Sequence, residues 1–120
     1  MVLVDTSIWI QHLRQGDAAL AKQLTKGHVI CHPFVVGELA CGHLDNREEI
    51  LSLLADLPYA EVASHEEALQ FIDGHRLMGT GLGYIDVHLL ASAVLSGVPV
   101  WTLDKRLREA AVHLDLAYLA

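Results

Sequence analysis

Basic residues are scarce in this chain: eight Lys and Arg stand against fifteen Asp and Glu, for a formal net charge of −7 over 120 residues. Broad, sequence-independent binding of nucleic acid runs on phosphate neutralisation by Lys and Arg, so this charge argues against that mode. An enzyme that meets nucleic acid through bound metal is not excluded, because the metal supplies the positive charge. A partner with a basic segment also fits. Cysteine is scarcer still. Cys31 and Cys41 lie in no C-x-x-C pattern, which argues against a disulfide framework and for two buried thiols in a reducing compartment. Long apolar runs are absent as well. The most membrane-like stretch, 89–103, is too short for a span and carries Ser, Gly and Pro, so it reads as helix, turn and strand. No basic region precedes the first apolar residues, and Asp5 interrupts them, so no signal peptide is expected and the cytoplasm is the expected location. The eight histidines form no H-x-x-x-H pair on one helix, which argues against zinc. The loop Gly79-Thr80-Gly81-Leu82-Gly83 lacks the Lys-Ser/Thr of a phosphate-binding P-loop.

What is present is apolar residues in short blocks, 52% of the chain, enough for one core and one domain over 1–120. Val2-Leu3-Val4 reads as a strand buried on both faces. Further strands are expected at His28–Cys31, Glu61–Ala63 and Val98–Leu103, with an edge strand at Leu116–Tyr118. Helices are expected between them. Ser7–Leu13 is short, Asp17 caps the next, Pro33 opens a third and Asn46 caps a fourth. Ser64 and Glu67 have capping-box spacing, 85–96 follows the glycine-rich loop, and 105–112 follows Asp104. Strands alternating with helices predict an α/β fold with a parallel sheet covered on both faces.

Four carboxylates stand out on this plan. Asp5 and Asp104 each end an apolar strand, so both emerge at one edge of the sheet if those strands are parallel neighbours. Asp86 opens a helix directly after the glycine-rich loop, and Glu38 lies on a helix whose other residues are almost all apolar. The plain reading of Asp5 alone is a helix cap. Four acids meeting at one rim would repel one another at neutral pH, and hard divalent cations with oxygen ligands are the natural remedy. Such ions activate water and steady the leaving oxygen of a phosphodiester, so the pattern points to metal-dependent phosphodiester hydrolysis.

The stretches VLVDTSIWI at the N-terminus, VGEL around Glu38, GLGYIDVHLLASA around Asp86 and VPVWTLDKRL around Asp104 resemble the signature regions of PIN-domain ribonucleases. They are most similar to the toxin subunits of VapBC-type toxin–antitoxin pairs. The resemblance covers nearly the whole chain, in order. It implies a three-layer α/β/α sandwich with a five-stranded parallel sheet, ordered 3-2-1-4-5, and Mg²⁺- or Mn²⁺-dependent RNA cleavage. It carries catalytic and metal-binding roles onto Asp5, Glu38, Asp86 and Asp104, and supporting hydroxyl roles onto Thr6 or Ser7 and onto Thr102. It also implies a homodimer joined with a basic antitoxin, and no membrane. His88 departs from the aliphatic residue common in relatives and could alter access to the site. Lys105-Arg106 follow Asp104 where some relatives carry a further acid.

An apolar-rich early helix carrying Ile8, Trp9, His12 and Leu13 is expected to form part of a groove for an antitoxin tail. Two other functions have to be weighed. A phosphoacceptor receiver domain matches the length, acidity and element order, but needs a doubled acid after the first strand and an Asp after the third. Here those positions read Asp5-Thr6 and Val62-Ala63-Ser64. A catalytically silent PIN-fold binding module would not need all four acids.

Overall fold

In the computed structural model, which describes residues 1–119, Val2–Val4 form β1 with all three side chains buried. A strand covered on both faces needs an apolar residue at every position, and this one has it. β2 (Val29–Ile30) and β3 (Val100–Trp101) flank it in parallel, giving the order β2-β1-β3. Val2 pairs with Val29 on one side, and Leu3 pairs with Val100 on the other.

Seven helices connect and cover the strands among the described residues: α1 (Thr6–Gln15), α2 (Ala18–Thr25), α3 (Pro33–Cys41), α4 (Arg47–Ala55), α5 (His65–His75), α6 (Tyr84–Ser96) and α7 (Lys105–His113). Their starts follow local chemistry. The Asp17 carboxylate accepts from the Leu20 amide at 3.0 Å, and Pro33 is the first residue of α3. Ser64 and Glu67 complete the reciprocal capping box, with bonds of 3.1 and 2.9 Å. Asn46 precedes α4 in a left-handed conformation and makes no cap bond, so its expected side-chain role fails. α6 is the most deeply set helix, with Val87–Ala93 all buried. Leu89 and Leu90 are fully covered there, each stabilising the fold by about 1.5–3 kcal/mol. α5 packs on α6, while α1 packs on α3 and α3 on α4.

The sheet is narrower than the five expected strands. Outside the three strands, pairing is reduced to single parallel bridges, Cys31 with Tyr59 and Val100 with Ala117. The Glu61–Ala63 strand does not form. Pairing to Cys31 occurs earlier, through Pro58 and Ala60, and the Glu61 amide is taken by the Ser96 hydroxyl at 2.9 Å. At the other edge, Val100 exchanges bonds of 2.7 and 2.9 Å with Leu116 and Tyr118, and no ladder extends beyond them. Both thiols are free, but only Cys31 is buried; Cys41, at the end of α3, is exposed. No helix of the described residues is long and apolar enough to cross a membrane.

Candidate active site

Asp5 follows β1 directly, and its amide bonds the Trp101 carbonyl of β3 at 2.9 Å, so the ends of both strands are tied together. It occupies the position before α1, yet its side chain makes no cap hydrogen bond. Its Oδ2 instead accepts from Ser7 Oγ at 2.8 Å and from Thr102 Oγ1 at 2.7 Å. The cap reading of Asp5 therefore does not describe what holds it. Asp5 is only 7% exposed, so a charge sits at a nearly closed position with two hydroxyl donors and no cation.

The same hydroxyls reach the neighbouring strand end. Ser7 Oγ accepts from the Leu103 amide at 2.9 Å, and Thr102 Oγ1 accepts from the Asp104 amide at 2.9 Å. Asp104 then caps α7, its Oδ1 accepting from the Leu107 amide at 2.9 Å. Thr6 has a different task from Ser7: its hydroxyl donates to Glu38 Oε1 at 2.7 Å, drawing α3 toward the rim. Asp86, on the first turn of α6, reaches back to accept from the Gly83 amide at 3.1 Å.

The four carboxylates thus come from four separate elements. In each, one oxygen is held by a protein donor, while the other accepts no hydrogen bond from the described residues. No Lys or Arg forms an ion pair with any of them; the pair recorded among the described residues is His43–Asp45, on the exposed α3–α4 turn. Asp86 registers the crowding. Its carboxyl is pushed above the usual range, first by burial and then by the charges of Asp5, Asp104 and Glu38, against the opposing Gly83 bond. Oxygen-only donors with free lone pairs and mutual repulsion are the environment a hard divalent cation relieves. No three of these groups stand close enough to form a ready coordination set among the described residues.

Two expectations for the surroundings change. Ile8 and Trp9 are 1% and 3% exposed and belong to the core, because they fall on the face of α1 turned to the sheet. The outer face carries Ile10 and Arg14, and Leu13 is half-buried between that face and the core. With Glu38, Leu44 and Ile50 they line a groove of about 270 Å³ beside the rim. His88 does not gate the site, being buried between the Phe34 and Tyr84 rings. Tyr84 and His65, brought together next to Asp86 from the starts of α6 and α5, had no sequence signal; nineteen positions separate them.

A model of the PIN domain matches residues 2–113 of this chain. Ribonuclease VapC32 of Mycobacterium tuberculosis, from two strains, is 45% identical over 118 residues, which is 98% of this chain and 95% of that protein. Among solved structures, FitAcB from Neisseria gonorrhoeae superposes with a TM-score of 0.69 at 21% identity, covering 100% of this chain and 97% of that one. PAE2754 from Pyrobaculum aerophilum gives 0.60 at 18% identity, over 95% of this chain and 88% of its own.

Proposed function

The chain belongs to the PIN domain family, and on that premise we propose that it is a divalent-metal-dependent endoribonuclease, the toxin of a type II toxin–antitoxin pair. The observation that carries this reading is the rim of four carboxylates, each with one oxygen tied down and one left open, with no cation among the described residues to neutralise them. The 45% identity to a protein described as a ribonuclease supports it. The receiver-domain alternative loses its ground to the family match over 2–113.

Asp5, Glu38, Asp86 and Asp104 would hold Mg²⁺, for which Mn²⁺ can substitute. A divalent cation supplies positive charge toward an attacking water and a scissile phosphate. The remaining work belongs to the protein. Ser7 and Thr102 fix the Asp5 carboxylate and, through the Leu103 and Asp104 amides, set its relation to the next strand. Thr6 fixes Glu38. Asp86, whose carboxyl is pushed upward by burial and by its acidic neighbours, gains from a cation. In this reading the two outer bridges are the third and fifth positions of a 3-2-1-4-5 sheet in a three-layer sandwich, and the whole chain is one domain.

The groove beside Glu38 suits an apolar tail from a basic antitoxin, with an Arg or Lys reaching the open carboxylate oxygens. The toxin acts in the cytoplasm as a homodimer in complex with that partner. The test is cleavage of RNA by the full chain in Mg²⁺, Mn²⁺ and chelator, with Asp86→Asn alongside. Cleavage that needs metal and disappears in the variant is expected. Cleavage in chelator removes the metal site, and no cleavage in either metal leaves a silent PIN-fold binding module.

A further inference from the structure

We propose that Tyr84 is a stacking platform for a nucleobase of single-stranded RNA, holding the strand to one side of the carboxylate rim; this rests on the ribonuclease reading above. Tyr84 is the first residue of α6, two positions before Asp86, and it is 44% exposed. An exposed aromatic is ordinary when it stands alone. This one is held in place from two sides. Its hydroxyl is 2.6 Å from His65 Nδ1 at the start of α5, and its ring meets His88 at 4.5 Å between centroids with the planes at 83°.

The support continues inward as a column. His88 contacts Phe34 at 4.9 Å, and Phe34 contacts His32 at 5.1 Å. His32 is fully buried and locked: its Nδ1 accepts from the Phe34 amide at 3.0 Å, so its Nε2 carries the proton toward Ser92 Oγ at 3.1 Å. His88 itself is buried, with Nδ1 lacking any hydrogen-bond partner. A purely structural helix-packing position would be served better by an aliphatic residue, which leaves no polar atom unsatisfied. What the imidazole adds is a flat, π-bearing contact that fixes the plane of Tyr84.

The column also has the right position. Phe34 is one turn before Glu38 on α3, and Tyr84 shares the first turn of α6 with Asp86, so both supporting helices also carry rim acids. A platform fixed on these helices holds its spacing to the cleavage site without loop motion. The choice of a base rather than a phosphate follows from charge. The net −7 chain offers no cation within this column, whereas stacking on an aromatic face needs none.

The test uses the full chain and a short single-stranded RNA carrying 2-aminopurine, with Ca²⁺ as the divalent ion for binding and Mg²⁺ for cleavage. Stacking should quench the probe in wild type. Tyr84→Ala should weaken binding by roughly 5- to 150-fold, the range for losing one stacked base, and abolish the quench. The loss should fall on KM rather than kcat. Tyr84→Phe and Tyr84→Trp keep a ring and should retain most of the binding, which also separates the effect from misfolding, while Tyr84→Phe, which loses the bond to His65, should lower the quench only as far as His65→Ala does. His65→Ala frees the ring and should lower the quench. The metal-induced rise in Tm should be the same in every variant.

Equal binding and quench in Tyr84→Ala would overturn the proposal. Tyr84→Phe as damaging as Tyr84→Ala would assign the effect to the hydroxyl and overturn it too. So would a Tyr84→Ala defect that tracks loss of a dimer. Wild type that neither binds nor cleaves RNA in any metal would instead sink the ribonuclease reading beneath it.

Discussion

Replacing Asp5 by Asn separates charge from shape at the centre of the rim. The side chain is nearly closed off, and its Oδ2 accepts from Ser7 and Thr102 at 2.8 and 2.7 Å. An Asn carbonyl can accept both bonds, so the hydroxyl network survives and the amide nitrogen faces the other acids. One negative charge leaves a cluster in which Asp5 helps to raise the Asp86 carboxyl. The metal-free variant should therefore be as stable as wild type or more so. Metal binding should move the other way. At a concentration near 100 times its dissociation constant, a bound ion stabilises the folded state by about 2.7 kcal/mol. For a domain of this size that corresponds to a rise in Tm of roughly 8–16 °C. Wild type should show such a rise between chelator and saturating Mn²⁺, and Asp5→Asn should lose most of it together with RNA cleavage. Scanning calorimetry in both conditions and one cleavage assay suffice. A variant that cuts RNA at the wild-type rate and keeps the full rise would refute the metal assignment of Asp5.

Four further outcomes follow from named contacts. Burial, with a contribution from His88, lowers His32 to about 4 from 6.5, so the folded state holds it neutral. The unfolded chain then binds more protons between those values, and stability falls as pH drops from 6.5 toward 4, by up to about 3 kcal/mol. Urea titrations should show this slope reduced in His32→Asn, which keeps a capping side chain; parallel slopes would refute it. Gly81 has φ +85°, and an added Cβ would stand 2.6 Å from the Arg106 guanidinium, so Gly81→Ala should cost about 1–2 kcal/mol in chemical denaturation. Trp9→Ala should cost about 3–5 kcal/mol of stability, as a core truncation. Ile10→Asp on the outer face of α1 should leave the fold intact and weaken capture of an apolar antitoxin tail, measured by calorimetric titration with a synthetic tail peptide.

Much of this molecule follows from local chemistry. The apolar block Val2–Val4 ending in Asp5 specifies a doubly covered strand with a carboxylate at its exit, and Val100–Trp101 ahead of Asp104 repeats the device. Pro33, Asp17 and the Ser64–Glu67 pair set helix starts through bonds spanning a few residues, so neighbouring letters suffice to read them. The long-range bonds are another matter. Whether Ser7 or Thr6 serves Asp5 depends on which side of α1 faces Thr102, 95 residues beyond Ser7, and which faces Glu38, 32 beyond Thr6. The Glu61–Ala63 strand does not form: pairing to Cys31 falls earlier, at Pro58 and Ala60, and the Glu61 amide goes to Ser96 on a distant helix. Trp9 went to the core and Ile10 to the groove because the sheet claims one face of α1, a choice that the apolar residues on both faces leave open. Tyr84 and His65 meet only because the packing of α5 on α6 brings the starts of the two helices together. Local hydrogen bonding is written in consecutive residues; the partners of an exposed hydroxyl, an unpaired amide or a surface ring are decided by which elements the core brings alongside.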